Sequence, residues 1–151
     1  GNQLSPFDSW LMLRSLKTLG VRLRQQEANA KRICEALKAN PHVTGVFYVG
    51  DPDHPDYALS KRQTAGFGAM ISFKTDTHRR AIDALERTRL ILFAESLGGT
   101  ESLITYPLVQ THGAIPAPML DKLGIDDRLL RLSVGIEDVE DLLADLDQAL
   151  A

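Results

Sequence analysis

The chain has 151 residues, a formal net charge of −3, 44% hydrophobic residues and 25% charged residues. These values are typical of a soluble globular domain that is long enough to bury a core. Negative charge without clustered Lys and Arg argues against a nucleic-acid partner, and no apolar run approaches the roughly 20 residues that span a bilayer. Cys34 is the single cysteine. Without an intramolecular disulfide or an apparent secretory signal, a reducing cytoplasm is the expected location.

The first 40 residues carry the pattern of one long helix. Ser5-Pro6-Phe7-Asp8 combines an N-cap serine, a proline in the first turn and an acid three residues after the cap, and Asn40-Pro41 supplies a stop signal. A continuous helix of this length would extend about 50 Å, whereas a compact chain of this size has a diameter near 40 Å. We therefore predict a bend, most naturally at Gly20.

The first turns of this helix are apolar on more than one side, through Trp10, Leu11, Met12 and Leu13. A helix with apolar residues around much of its circumference packs on more than one neighbour. We therefore expect the chain on its own to expose a hydrophobic patch here and to self-associate.

The rest of the chain alternates between short strand and helix patterns. Strands are predicted at residues 43–49, 68–74, 90–94, 103–106 and 130–136, and helices at 77–88, at 116–123 and from Asp138 onward. This order predicts an α+β fold, with a small, mostly antiparallel sheet covered by helices and preceded by the long N-terminal helix. Residues 1–40 are assigned to a linking helix and residues 41–151 to an α+β domain.

The predicted strand in "LLRLSVGIED" separates two kinds of side chain. Alternation places Leu130, Leu132, Val134 and Ile136 on one face and directs Arg131 and Ser133 to the other; Gly135 leaves room nearby. An arginine opposite a solid apolar face can bind a carboxylate through two parallel hydrogen bonds. The alternative is an exposed arginine on the polar side of an open sheet.

The stretch "AESLGGTESL" at 94–103 follows another predicted strand. Its paired glycines allow backbone conformations closed to other residues and a close approach by a ligand, beside Glu95 and Ser96. The alternative is a glycine turn flanked by solvated acids.

Other polar residues give weaker signals. The histidines have no metal-ligand spacing, and the acids of "GDPDHPDY" are typical of turns, so no metal site is predicted. Cys34 falls in an apolar stripe and is interpreted as a small buried hydrophobe. The acids of the closing helix, which include Glu137 and Asp145, are interpreted as dipole-favoured or solvated.

Five stretches together resemble the C-terminal part of the Cys/Met-metabolism family of pyridoxal-phosphate enzymes, which includes cystathionine γ-synthases and γ-lyases. They are "LRSLKTL" (13–19), "QTAGFGAMISF" (63–73), "AESLGGTESL" (94–103), "YPLVQTHGAIP" (106–116) and "LGIDDRLLRLSVGIEDVEDLLADLDQAL" (123–150). The resemblance runs over essentially the whole chain and in order. It implies the C-terminal, substrate-carboxylate-binding domain of a fold-type I enzyme.

The resemblance also implies roles for individual residues. Arg131 would bind the substrate α-carboxylate, with help from backbone around Leu97. Ser96 would orient the lysine that carries the cofactor, and Thr111 would line the substrate pocket. Glu95 would face the distal ammonium group of cystathionine, which makes it the residue that distinguishes γ-enzymes from relatives acting on methionine or by β-elimination.

The implied cofactor is pyridoxal 5′-phosphate, yet the Ser-x-Thr-Lys setting of its lysine does not occur in this sequence. The expectation is that the cofactor-binding domain lies upstream of this chain, that the chain alone is inactive, and that the full enzyme is a homotetramer. Two alternatives stay open. One is a stand-alone amino-acid-binding or regulatory module, and the other is a purely structural or oligomerisation domain.

Overall fold

A computed structural model describes residues 2–151 of the chain. Within this range the helices are α1 (Pro6–Leu16), α2 (Leu19–Ala39), α3 (Tyr57–Gln63), α4 (His78–Arg87), α5 (Ala117–Leu123) and α6 (Val139–Leu150). The strands are β1 (Val43–Phe47), β2 (Met70–Thr75), β3 (Leu92–Phe93), β4 (Leu103–Thr105) and β5 (Leu129–Ser133). The predicted elements are therefore present with small shifts of their ends, and α3 is an element that the sequence did not predict.

The strands form one sheet in the order β1-β2-β5-β4-β3. All neighbouring pairs are antiparallel except β3 and β4, which run parallel. The expected α+β fold with a mostly antiparallel sheet is thus confirmed. Central strand β5 places Arg131 between Ser72 on β2 and Thr105 on β4.

Helices α2, α4 and α6 cover one face of the sheet and enclose the core. Leu130, Leu132 and Val134 are fully buried beneath them, as alternation along β5 predicted. Ile136 was expected on the same face but is 39% exposed. The expectation was wrong because β5 ends at Ser133, and the Ile136 N–H bonds instead to the carbonyl of Thr100 in a neighbouring loop.

The leading helix breaks at Lys17–Thr18 and not at Gly20, which lies inside α2. The N–H groups of Lys17 and Thr18 donate to carbonyls only three residues back, which tightens the last turn of α1. Arg22 spans the break and donates to the Ser15 carbonyl at 3.1 Å and the Thr18 hydroxyl at 3.4 Å. Side-chain bonds within the turn, rather than glycine freedom, therefore set the position of the bend.

Helix α1 begins as the sequence predicted, with the Ser5 hydroxyl accepting a hydrogen bond from the Asp8 N–H. In contrast to α2, none of its residues is buried. Its large apolar side chains are all exposed, among them Phe7 at 65%, Trp10 at 56% and Leu13 at 63%. The predicted hydrophobic patch is therefore present on α1, and self-association stays a prediction.

Cys34 lies on α2 at the sheet interface and is 4% exposed, in agreement with its interpretation as a buried hydrophobe. Burial, reinforced by the negative charge of Asp51, raises the pKa of the Cys34 thiol to about 11. No grouping suited to a metal ion occurs among residues 2–151. Within the same range, no helix has the length and apolar character needed to cross a membrane.

Candidate functional site

Arg131 projects from the face of the sheet opposite α2, α4 and α6, toward the loop that follows β3. Its Nη2 donates to the backbone carbonyl of Glu95 at 3.2 Å and to the hydroxyl of Thr105 at 3.4 Å. The side chain is partly exposed, and among residues 2–151 no carboxylate lies within ion-pair distance of it. Its guanidinium charge is therefore available to a ligand.

The glycine pair turns this loop back onto β5. Gly98 has a φ of +76°, a left-handed conformation that side-chain-bearing residues rarely adopt. Its N–H donates to the Ser133 hydroxyl at 2.8 Å. Ser133 lies two residues after Arg131 and so on the same side of the strand. The main chain of the loop is thereby held beside the guanidinium.

Two buried amides of α2 support the loops from behind. Gln26 and Asn29 are each 2% exposed. Gln26 Nε2 donates to the carbonyl of Gly99, and Asn29 Nδ2 donates to the carbonyls of Gly135 at 3.1 Å and Glu137 at 2.9 Å. Neither residue was predicted to matter. A polar residue on the buried stripe of an amphipathic helix was the available signal.

Glu137 joins the same network. Its carboxylate accepts hydrogen bonds from the N–H and the hydroxyl of Ser102, at 2.6 and 2.9 Å. The Ser102 hydroxyl in turn accepts the Gly135 N–H at 2.8 Å, and the absence of a side chain at Gly135 lets the Thr100 carbonyl approach closely. Interpreting Glu137 only as a solvated or dipole-favoured acid missed this role, because the backbone N–H and the hydroxyl of Ser102 both donate to its carboxylate.

Asp145 of α6 fixes the segment that leads into β3. It is 6% exposed, and its carboxylate accepts the N–H groups of Arg89, Leu90 and Ile91 at 2.8–2.9 Å. Burial acts to raise the pKa of Asp145, but these backbone hydrogen bonds, with one from Gln148, hold the pKa below its usual range. The interpretation of Asp145 as a solvated acid was therefore wrong as well.

Glu95, Ser96 and Leu97 all lie exposed on the loop between β3 and Gly98. Thr111 is exposed in a separate loop, where its hydroxyl lies 2.7 Å from Nδ1 of His112. The structure thus brings four predicted residues together: Arg131, Glu95, Ser96 and Leu97. Thr111 does not lie with these four residues. Its neighbour His112, however, borders the same groove as Arg131.

This groove has a volume of about 390 Å³ and lies on the face of the sheet opposite α2, α4 and α6. Residues from β1, β2 and β5 form its floor, and Pro107, His112 and the 123–125 segment form its walls. Lys74 also borders it, with its Nζ 2.8 Å from the Asp126 carboxylate. Lys74 is therefore ion-paired with Asp126, whereas Arg131, which borders the same groove, has no carboxylate partner in the described part of the chain and can bind an anion.

The arrangement suits recognition of a small carboxylate. A planar guanidinium provides paired donors, and a glycine turn allows main chain to come close to the bound group. The fold and site together define an α+β domain with a candidate site for a small carboxylate-bearing molecule.

The family comparison extends this description. The family model described as "Cys/Met metabolism PLP-dependent enzyme" matches residues 1–151. The chain belongs to this family of pyridoxal-phosphate-dependent enzymes.

Relatives with different names are similar to it at almost the same level. Cystathionine gamma-lyase of Bacillus subtilis is 47% identical over 150 residues, which cover 99% of this chain and 40% of that protein. Cystathionine gamma-synthase of Mycobacterium tuberculosis strain H37Rv is 46% identical, over 96% of this chain and 37% of that protein. The crystal structure of cystathionine gamma synthase from Xanthomonas oryzae pv. oryzae, in complex with aminoacrylate and cysteine, superposes with a TM-score of 0.92. It is 46% identical and covers 97% of this chain and 38% of that one. The chain therefore spans about two-fifths of the length of these relatives.

The family implies pyridoxal 5′-phosphate as cofactor. The described residues fit the substrate side of such a site, through Arg131 and the Gly98 turn. Covalent attachment of the cofactor needs a lysine amine. Lys74 is the lysine that borders the groove, and its ammonium is held by Asp126.

Proposed function

We propose that this chain is the C-terminal part of a pyridoxal-phosphate-dependent trans-sulfuration enzyme of the cystathionine γ-synthase or γ-lyase type. The observation that carries the proposal is the Arg131 guanidinium, which faces the Glu95–Gly98 loop without a carboxylate partner among residues 2–151. In this proposal residues 1–40 link to a cofactor-binding domain outside the chain, and residues 41–151 hold the substrate carboxylate. Family membership supports the enzyme class in this proposal.

Each site residue has a proposed role. Arg131 binds the α-carboxylate, and main chain near Leu97 completes that contact. Ser96, exposed one residue after Glu95, orients the cofactor lysine, and Thr111 lines the substrate pocket near His112. Pyridoxal phosphate, when bound, supplies an electron sink for charge that develops at the substrate Cα. The residues of this chain bind and orient the amino acid.

Substitution of Arg131 tests this role in the full-length enzyme. Arg131→Ala removes charge-assisted hydrogen bonds to the carboxylate, so kcat/KM should fall by about 100-fold or more. In Arg131→Lys, kcat/KM should fall by less, since lysine keeps the positive charge and loses only the paired hydrogen-bond geometry. Steady-state kinetics with cystathionine and with O-acylhomoserines would measure both variants and identify the reaction.

Arg79→Ala is the matched control, because Arg79 lies on α4, exposed and ion-paired to Asp83. It should leave kcat/KM within about twofold of the wild-type value, as surface substitutions usually do. An Arg131→Ala enzyme with wild-type kcat/KM would refute the proposed role of Arg131.

Glu95 is proposed to select substrates with a distal ammonium group. Glu95→Gln keeps the shape and removes the charge, so kcat/KM for cystathionine should fall about tenfold. The value for an O-acylhomoserine, which lacks that ammonium, should change little. An equal change for both substrates would contradict the assignment.

The chain by itself is proposed to be inactive, because the Schiff-base lysine lies in the cofactor-binding domain. Incubation of this chain with pyridoxal phosphate, followed by borohydride, should give no stoichiometric lysine adduct and no turnover. Mass spectrometry would detect such an adduct. A specific adduct accompanied by turnover would overturn this part of the proposal.

Assembly and cellular location belong to the same proposal. The exposed apolar face of α1 supports packing against other parts of a larger assembly, for which we propose a homotetramer in the reducing cytoplasm. The second candidate function is a stand-alone amino-acid-binding module, favoured by a groove that this chain forms unaided. Calorimetric titration of the isolated chain with cystathionine separates the two, since tight, Arg131-dependent binding favours the module.

A further inference from the structure

Thr105 carries a buried hydroxyl that accepts a hydrogen bond from the Arg131 guanidinium. It lies on β4 directly opposite Arg131 on β5 and is 1% exposed. Its Oγ1 lies 2.8 Å from the Ala94 carbonyl and 3.4 Å from Arg131 Nη2. One side chain therefore contacts both the arginine and the residue at which the Glu95–Gly98 loop begins.

The chemistry of a hydroxyl fixes the direction of these two bonds. A threonine hydroxyl has a single proton and two lone pairs. The Ala94 carbonyl can only accept, so the proton points to Ala94 and the oxygen presents a lone pair to the Arg131 N–H. Ala94 is itself fixed, because its N–H donates to the Ile104 carbonyl at 3.0 Å.

These contacts restrain one end of the guanidinium. Nη2 has two hydrogens, and it donates to the Thr105 hydroxyl and the Glu95 carbonyl. Both acceptors depend on the same short segment, since Thr105 bonds to Ala94 and Glu95 follows it in the chain. A shift of the loop would therefore turn the arginine, and a turn of the arginine would disturb the loop.

We propose that Thr105 is a positioning residue that sets the orientation of Arg131 relative to the loop, and so the affinity for the substrate carboxylate. The inference rests on the proposed function, in which Arg131 binds that carboxylate. Thr105 touches neither substrate nor cofactor in this scheme. It acts through the guanidinium and through Ala94.

Thr105→Val in the full-length enzyme tests the inference, because valine keeps the shape and removes both hydrogen bonds. KM should rise about tenfold, which corresponds to about 1.4 kcal/mol for a hydrogen bond to a charged group. The carboxylate takes no part in bond changes, so ground state and transition state lose similar binding and kcat should change little. Steady-state kinetics with cystathionine, or with an O-acylhomoserine if the enzyme is a synthase, give both parameters.

Two further variants separate positioning from simple loss of structure. Thr105→Ser restores the hydroxyl and should recover KM to within about twofold. Thr75→Val makes the same chemical change at a buried threonine of β2, 0% exposed, whose hydroxyl bonds to the Thr77 carbonyl at 2.8 Å. It should lower the melting temperature without raising KM. If Thr105→Val does not fold, Thr105→Ala carries the same test.

The outcomes separate this inference from the proposed function. A wild-type KM in Thr105→Val or Thr105→Ala, with a strong effect of Arg131→Ala, overturns the role of Thr105 alone. The role of Thr105 is also overturned if Thr105→Ser or Thr75→Val raises KM as much as Thr105→Val does. If Arg131→Ala itself leaves kcat/KM unchanged, the proposed function is refuted, and the role of Thr105, which rests on it, is refuted with it.

Discussion

The two faces of β5 differ in nearly every physical respect. Leu130 and Leu132 point into the layer formed by α2, α4 and α6, where each is fully buried. Arg131 and Ser133 point the other way and contact a loop through side-chain and backbone hydrogen bonds. One strand of five residues thus contributes to the core on one side and to the candidate site on the other.

This contrast suggests that stability and binding are separable along the strand. Apolar burial under the helices contributes free energy of folding in proportion to area, whereas the polar side positions a few donors precisely enough for recognition. Substitutions on one side should therefore change unfolding, and substitutions on the other should change affinity. The following tests probe that separation, in order of their expected effect on the free energy of unfolding.

Leu132→Ala should have the largest effect. The side chain is 0% exposed, so truncation leaves a cavity and should lower the free energy of unfolding by about 2–5 kcal/mol. Leu123→Ala removes the same atoms at a site that is 54% exposed and should cost less than about 0.5 kcal/mol. Urea denaturation of both variants makes the comparison, and equal losses would contradict the assigned core.

Asp145→Asn should have the next largest effect. The carboxylate accepts three backbone N–H groups, and an amide with one oxygen cannot replace it. We expect a loss of about 2 kcal/mol, the usual consequence of leaving buried donors unpaired. Asp147→Asn on the exposed side of the same helix is the control and should cost less than about 0.5 kcal/mol.

The Asp145 contribution should also depend on pH. The folded-state pKa is lowered relative to the unfolded value, so folding favours the ionised form. The stabilisation is therefore complete above the unfolded pKa of about 4 and is lost as pH falls through the folded pKa. Urea titrations from pH 7 to pH 3 should show the wild-type advantage over Asp145→Asn shrinking below about pH 4, and a constant difference would contradict this account.

Arg131→Ala should leave the free energy of unfolding of this chain within about 0.5 kcal/mol of wild type. The side chain is partly exposed, so water replaces its hydrogen bonds once the guanidinium is removed. The same substitution is expected to have its main effect on substrate binding. A loss of stability comparable to that of Leu132→Ala would remove the separation between the two faces.

Cys34 offers a test of the covered side that does not alter stability. Its raised pKa of about 11, against 9.0 for an ordinary thiol, lowers the thiolate fraction at pH 8 by about 100-fold. Iodoacetamide should therefore modify the native chain at least about 100-fold more slowly than the urea-unfolded chain. Mass spectrometry can follow both reactions, and similar rates would show that α2 does not cover the thiol.

Local sequence signals predicted most of the fold. Ser5 acts as the predicted N-cap of α1, and alternation identified the buried side of β5 through Leu130 and Leu132. The missed helix α3 is only seven residues long and follows a turn rich in proline and acid. Its first residue, Tyr57, is held by stacking on Phe67 at a ring distance of 5.0 Å, a contact between segments that a local pattern does not contain.

The candidate site was only partly predictable. Arg131 and the glycine loop have local signatures, and the family resemblance assigned roles to Glu95, Ser96 and Leu97. The supporting residues do not have such signatures, because Gln26, Asn29 and Asp145 become important only when loops distant in sequence reach them. The proximity of Thr105 to Arg131 likewise depends on strand register across a 26-residue separation.

The amides of Gln26 and Asn29 bind main-chain carbonyls and no side chains of the loops they support. Side chains at residues 95–97 can consequently be exchanged without removing any of these hydrogen bonds. Under the proposed function, Glu95 and Leu97 could therefore be varied as a small library to change substrate specificity, and most members should retain the parental scaffold.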